Sequence, residues 1–598
     1  MNVAGEAKEK VDSSLSTALR ALFVFLLLFG LYCSLASEKS FSSKGESREG
    51  LVVKDMFEQQ NFVLPLRNGV DIPSKPPLFH WLGAFSITTL QLPAELAIRL
   101  PSVFSAAFIL MLFFFFVGQR SSHRLAALAV IICATTFEWG RGAVLARVDM
   151  LFSALLAASF MLFARFLATD DERRWRGTLY VIGGFLGFAV LTKGPIGLVL
   201  PWLAFVPTWV LFRGQKLIRA DRGQFMEEIR LFAVSVAISI GIGLCWYVPA
   251  FFQGGAAFVD THLFKENLAR LLHHPGYDIG HEAPFYMTFV ELISGFMPWS
   301  FLLPIVVLWL RREWSSVRSD PTIILSCCWL GVFLLIFSIS ESKRPVYLLP
   351  AYLPLSLLLA HAVSSHAQSP ADGWVRRSFR WFAMGILIIC GAVGVSLILA
   401  AALPARWFLS ASDVLLWLDA VRANLLSRWW ILLAGVGSAW IADRAFQAVR
   451  NAEIERGLLG CGVAGLLTVC VIGLGVVSPV SRVNSPEPFA AEMETLVPEA
   501  ALLVQFRHDF YPLLFSASRN IPRVLDESMP NGEFFVVSAR RDLDELRALV
   551  DQFELILQST GPQAEGRDGL VLVRAERHAR AALDSASNSA PVLPAPVP

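Results

Sequence analysis

The chain has 598 residues, 55% of them hydrophobic, with a mean hydropathy of +0.55 and only 17% charged residues. That balance excludes an ordinary soluble globular protein, and a formal net charge of +2 gives no global basic signal for nucleic acid. The eight cysteines all fall in apolar stretches without CxxC spacing, so a disulfide framework or a thiolate zinc site is not expected.

Residues 21–37 follow a basic front end (Lys8, Lys10, Arg20) and read as an uncleaved first membrane helix. Apolar runs then predict about 13 spans, centred near residues 28, 109, 132, 159, 184, 203, 240, 304, 331, 355, 391, 436 and 467. Between the first two, residues 38–99 form a long polar loop. Within it, "GESREGLVVKDMFEQQ" carries Val52, Val53, Met56 and Phe57 on one face, the pattern of an interfacial helix. The apolar stretch at 78–92 is short and bounded by Pro76, Pro77 and Pro93, which suits an interfacial or re-entrant segment.

Loop charge sets the expected orientation. Basic residues cluster at the N-terminus, Arg120/Arg124, Arg173–Arg176, Arg213–Arg222, Arg311–Arg318, Arg376–Arg380 and Arg444–Arg456. With alternating spans these loops share one side, which the positive-inside rule makes cytoplasmic. Everything after about residue 478 then lies on the other side. There, strand-like runs at 501–506, 532–539, 553–559 and 569–576 alternate with helical stretches, predicting a small α/β domain at 479–578. The tail at 579–598 has a disordered composition. The expected fold is therefore an all-α polytopic membrane domain (1–478) followed by a small extracytoplasmic α/β domain.

Six short polar motifs interrupt the spans on the non-cytoplasmic side. Glu46 lies in "SSKGES", whose spacing also fits a capping box. Lys75 stands before two prolines in "SKPPLFHW", with its backbone restricted toward extended geometry; it is either a snorkelling lysine or a ligand contact. Asp149 in "ARVDML" can pair with Arg141 or Arg147. Lys193 precedes a Gly-Pro turn in "LTKGPIG". Glu266 and Arg270 share a helix face in "FKENLAR", and Lys343, Arg344 and Tyr347 cluster in "SKRPVY". His262, His273, His274 and His281 are irregularly spaced and lack HExxH geometry, so no metal is expected. Carboxylates and cations collected at one interface suit a reaction with an anionic leaving group. Lysine and arginine stabilise phosphate charge, and a carboxylate orients or deprotonates an attacking hydroxyl.

The ordered blocks "GESREGLVVKDMF", "SKPPLFHWL", "AIRLPSVFSA", "ARVDMLFSALL", "LTKGPIGLVLP", "ENLAR", "MPWS" and "SKRPVYLLP" resemble the bacterial protein O-mannosyltransferase-like glycosyltransferases. That family includes the aminoarabinose transferases of lipid A and has the GT-C architecture. The resemblance implies an inverting glycosyltransferase of the bacterial inner membrane, without a cofactor, with a periplasmic C-terminal domain. Its donor would be an undecaprenyl-phosphate sugar and its acceptor a lipid A-type molecule or a protein. It implies that Lys75, Arg270 and Tyr347 contact the donor phosphate, with Lys343 and Arg344 nearby, and that Asp149 is an acidic residue needed for activity. Two departures stand out. The family's opening Asp-Glu pair reads Gly45-Glu46 here, so that Glu46 or Asp149 takes the place of the missing Asp, or no strong base is needed, as would suit a phosphate acceptor. Aminoarabinose transferases also tend to have Glu and His where this chain has Ser74 and Asn267, which argues against a metal site. The rival class is a transporter or lipid flippase, which calls for inverted repeats or charges near mid-membrane.

Overall fold

A computed structural model describes residues 3–169, 172–214, 222–269, 283–368, 373–404, 412–559 and 569–578. The chain divides into two compact units, one of residues 1–41 and 45–483, the other of residues 42–44 and 484–598.

The first unit is helical throughout. Its opening elements are α1 (Val3–Ser37), α2 (Lys44–Glu58), α3 (Leu78–Leu90), α4 (Ala94–Arg120), α5 (His123–Ala134) and α6 (Phe137–Ala143). They continue with α7 (Val148–Leu167), α8 (Glu172–Lys193) and α9 (Ile196–Trp209). Among the described residues, nine helices are long and apolar enough to cross a membrane, and three sharply bent helix pairs raise the number to at most twelve. The chain is a multi-pass membrane protein. The expected 13 spans exceed that number by one. All 13 centres fall in helices, but the apolar part of α8 is bounded within the helix by Arg176 and Lys193. The uncharged stretch between them is short for a hydrocarbon core of about 30 Å.

The bend between α5 and α6 measures 74° and follows from two threonines. Thr135 Oγ1 donates to the Ile131 carbonyl and Thr136 Oγ1 to the Ile132 carbonyl (2.5 and 2.8 Å), drawing the chain off the helical path. Trp299 Nε1 donates to Thr135 Oγ1 (2.9 Å) and fixes the corner. The bend delivers residues 144–147, and hence the start of α7, to the same end of the bundle as α2. The turn between α8 and α9 is made by Gly194 (φ 92°), whose N–H donates to the Val190 carbonyl, followed by Pro195. Left-handed glycine and then proline close one helix and open the next. A side chain at Gly197 would meet the Ala189 backbone, so α8 and α9 pack tightly just past the turn.

The first loop differs from a helix lying on a bilayer. α2 forms where expected, and Val52, Val53 and Met56 are buried, but so are Glu46, Glu49 and Asp55. Its polar face is enclosed by protein. The stretch at 78–92 is the 13-residue α3, too short to span.

The second unit contains a five-stranded sheet of order β2-β1-β3-β5-β4. The strands are β1 (Leu503–Phe506), β2 (Arg523–Val524), β3 (Gly532–Ala539), β4 (Gln552–Gln558) and β5 (Leu570–Arg577). β1 is parallel to β2 and β3, and β5 is antiparallel to β3 and β4. The core gathers Val504, Phe506, Phe534, Val536, Leu546, Val571 and Val573. Four of the strands were legible as apolar runs. The two-residue β2 and the helix Tyr511–Ser516 were not, because neither is long enough to show a period.

Candidate active site

The site grows from the N-terminal ends of α2, α4 and α7 and the C-terminal end of α8. Arg99, one turn into α4, is fully buried. A buried guanidinium must be paired, and Glu46 supplies the partner: Nε to Oε1 at 2.8 Å and Nη2 to Oε2 at 3.2 Å. The remaining arginine donors reach the carbonyls of Ala36 and Ser40 (3.0 and 3.4 Å), and the guanidinium lies over the Phe41 ring. Glu46 Oε1 also accepts the Ala146 N–H (2.9 Å). Glu46 therefore ties three segments together: α2, α4 and the 144–147 loop that leads into Asp149.

Asp149 sits in the first turn of α7, where the helix dipole favours a carboxylate. Its ion-pair partner is neither of the arginines that sequence proximity suggests. Lys193 Nζ donates to Asp149 Oδ1 at 2.6 Å, and both side chains are largely buried. Arg141 is instead held by Glu138 (Nε to Oε2, 2.9 Å), while Arg147 and Lys75 act on Asp149 electrostatically. The Lys193 ammonium also lies 4.5 Å from the centre of the Tyr347 ring and 5.1 Å from that of Phe152. One lysine thus joins Asp149 to Tyr347 across 198 residues of sequence.

Lys75 is half-buried, and Pro76 and Pro77 behind it are buried. The two prolines remove donors that this packed corner could not satisfy. Lys343 is buried, with its ammonium donating to the carbonyls of Ala283 (2.8 Å) and Ser340 (2.6 Å). Arg344 follows and leads into the short 3-10 turn Pro345–Leu348 that carries Tyr347. The structure brings Lys75, Asp149, Lys193 and Tyr347 together and sets Glu46 behind the Asp149 loop. Arg270, with His273, His274 and His281, lies outside the described residues. His262 is buried against Trp246, Tyr247 and Phe258. Among the described residues no group of three or more His, Cys, Asp or Glu side chains could hold a metal ion.

Residues that sequence reasoning did not assign complete the site. Arg99 lies in "AIRLPSVFSA" and Arg147 in "ARVDML"; a charged residue inside an apolar run is the sequence signal for Arg99. Gly45 is explained by Arg147, whose guanidinium occupies the space that a side chain at position 45 would take. Glu49 and His80 form a third buried pair (Oε2 to Nε2, 2.8 Å). Burial alone would push the Glu49 carboxyl up, but the His80 hydrogen bond and charge, with Arg48 and Arg147, hold it down to about 2. Deeper in α2, burial pushes Asp55 up to about 7, although its carboxylate accepts the Asn68 N–H (2.7 Å).

Chemically, this is an enclosed patch of carboxylates and fixed cations at the level where spans end. It can hold a phosphate against Lys75 and Lys193 and keep one carboxylate, Asp149, beside it.

Residues 74–259 match the family model described as dolichyl-phosphate-mannose-protein mannosyltransferase. The undecaprenyl phosphate-alpha-4-amino-4-deoxy-L-arabinose arabinosyl transferase of Erwinia tasmaniensis is 26% identical over 347 residues, covering 57% of this chain and 59% of that protein. The chain thus spans less than two thirds of that relative's length. The transferase of the same name from Shewanella sediminis is 24% identical over 501 residues, 83% of each chain. In structure, ArnT from Cupriavidus metallidurans bound to undecaprenyl phosphate superposes with a TM-score of 0.72, at 18% identity, over 92% of this chain and 97% of that one. Its apo form gives 0.69 at 17% identity, with the same coverage. The fold is thus that of the GT-C membrane glycosyltransferases. Within that class, the chain is similar to the aminoarabinose transferases over most of its length and to the mannosyltransferase family model over residues 74–259.

Proposed function

We propose that this protein transfers a sugar from an undecaprenyl-phosphate donor to a lipid A-type or protein acceptor at the periplasmic face of a bacterial inner membrane. The N-terminus would be cytoplasmic and the sheet-containing unit periplasmic, the orientation that the basic loops support. The relatives named above carry that donor class in their names, and a lipid A-type acceptor is the better fit to that likeness.

The observation that carries the reading is the contact of Lys193 with both Asp149 and Tyr347, within electrostatic reach of Lys75. In the proposed step an acceptor oxygen forms a bond to the anomeric carbon as the carbon–oxygen bond to the donor phosphate breaks. Undecaprenyl phosphate leaves with the bonding electron pair. Lys75 and Lys193 offset the charge that develops on it; by the resemblance, Arg270, Lys343 and Arg344 add to them. Tyr347 lines the phosphate position, and Lys193 positions its ring. Asp149 takes the proton of a hydroxyl acceptor; a phosphate acceptor has none to give, and Asp149 then orients it. Glu46 acts indirectly, setting the Asp149 loop through Arg99 and the Ala146 amide. The reading assigns phosphate neutralisation to lysine and arginine and requires no cofactor.

Mass spectrometry of lipid A and surface glycans, in cells with and without the protein, tests the assignment. A sugar adduct that disappears with the gene product and returns with wild type, but not with Lys75→Ala, is the expected result. Identical glycan and lipid profiles in all three would overturn it.

A further inference from the structure

The opposite end of the same bundle holds a feature that sugar transfer does not use. A cleft of about 570 Å³ opens between α1, α4, α7 and α8. Leu112, Phe115, Phe116 and Gln119 of α4 and Ala158, Met161, Leu162 and Arg165 of α7 line it. Each set follows i, i+3, i+4, i+7 spacing, so one face of each helix forms a wall about 10 Å long. Val181 and Phe185 of α8 close the apolar part, while Ser14 and Arg120 stand with Arg165 and Gln119 at the mouth.

The cleft is divided by chemistry. Its depth is aliphatic and aromatic, and its mouth carries two exposed arginines near enough to repel each other. Among the described residues no acidic side chain lines it. Asp320 acts on Arg120 from outside, but its carboxylate caps the helix Pro321–Ile339 by accepting the Thr322 N–H (2.7 Å). Arg120 lies over the Phe116 ring, which turns it toward the apolar wall. A neutral lipid would leave the repulsion between Arg120 and Arg165 without a counter-anion inside the cleft, among the described residues. A free anion would leave the apolar depth uncovered.

We propose that this cleft binds an acidic phospholipid of the adjoining leaflet, with its phosphate between Arg120 and Arg165 and one acyl chain along α4 and α7. Basic pockets between membrane helices are suited to such headgroups, and burying the first methylenes of a chain along the apolar wall adds hydrophobic stabilisation.

The test uses the full-length protein, purified in detergent, stripped of lipid and re-exposed to phosphatidylglycerol or phosphatidylcholine, with retained lipid counted by native mass spectrometry. Wild type should retain one phosphatidylglycerol with at least about tenfold preference over phosphatidylcholine, and millimolar inorganic phosphate should not displace it. The pair Arg120→Gln/Arg165→Gln should lose that preference. Ala158→Trp, which fills the cleft and leaves both arginines, should lose retention by a similar factor and decides the matter where the double variant does not fold. Arg444→Gln/Arg450→Gln, at the same end but outside the cleft, should behave as wild type. Equal retention of the two lipids, wild-type retention by both cleft variants, or displacement by phosphate alone would overturn the proposal.

Discussion

The two ends of the helical bundle treat charge in opposite ways. At one end Glu46 and Arg99, Asp149 and Lys193, and Glu49 and His80 are enclosed and matched group to group. At the other, Arg120, Arg124, Arg165, Arg311, Arg376, Arg444 and Arg450 are exposed, and the main buried pair there is Glu228 with Arg213. Exposed arginines cost the fold little and set topology. Enclosed ions carry a desolvation penalty that apolar residues of similar size would avoid. Their concentration at one end therefore points to a chemical role, and each of the following tests bears on that contrast.

The largest expected effect is on transfer. Asp149→Asn should lower it by at least about 100-fold, and Lys193→Ala should do so as well, with the protein still monodisperse in detergent. An intact rate in both would reduce the cluster to a structural one. Stability comes next. Arg99→Ala strands the buried Glu46 carboxylate and should cost about 3–5 kcal/mol, whereas Arg120→Ala should change stability by less than about 0.5 kcal/mol. Thermal melts of the two variants compare the two ends directly; equal losses would erase the contrast.

A third, smaller effect depends on pH. Asp55 has its carboxyl raised to about 7 from an ordinary 3.8, so the folded state favours the protonated form. Its contribution to stability is fully present below about pH 3.8 and is lost as pH rises through about 7. Asp55→Asn should therefore raise the melting temperature at pH 8 and leave it unchanged near pH 4. A shift of the same size at both would show that the carboxyl is not held in its neutral form. The smallest effect is expected at Gly45. Gly45→Ala forces the Arg147 guanidinium to move, so transfer should fall severalfold while the melting temperature stays within a degree or two.

How much of this was legible follows from the range of each interaction. The spans were readable because an apolar run of about 20 residues is a local signal, and β3 and β5 because alternating and continuous apolar runs are local as well. The separate motifs of the site were legible as oddities: a lysine before two prolines, an acid opening a span. Their partners were not. Asp149 has Arg147 two residues away, yet its direct partner is Lys193, 44 residues on. Glu46 fitted a capping pattern, yet it binds Arg99, 53 residues on. Such pairings are set by which helix ends meet, and no local pattern encodes that. The enclosed polar face of α2 was missed for the same reason, since its covering comes from α3, α4 and the 144–147 loop.

Binding of undecaprenyl phosphate to the purified, delipidated protein tests the central claim most directly, because it needs neither the sugar nor the acceptor. Wild type should bind it saturably, and Lys75→Ala and Lys193→Ala should each weaken binding at least about tenfold, with Arg120→Gln indistinguishable from wild type. Equal affinity in wild type and both lysine variants would contradict the account.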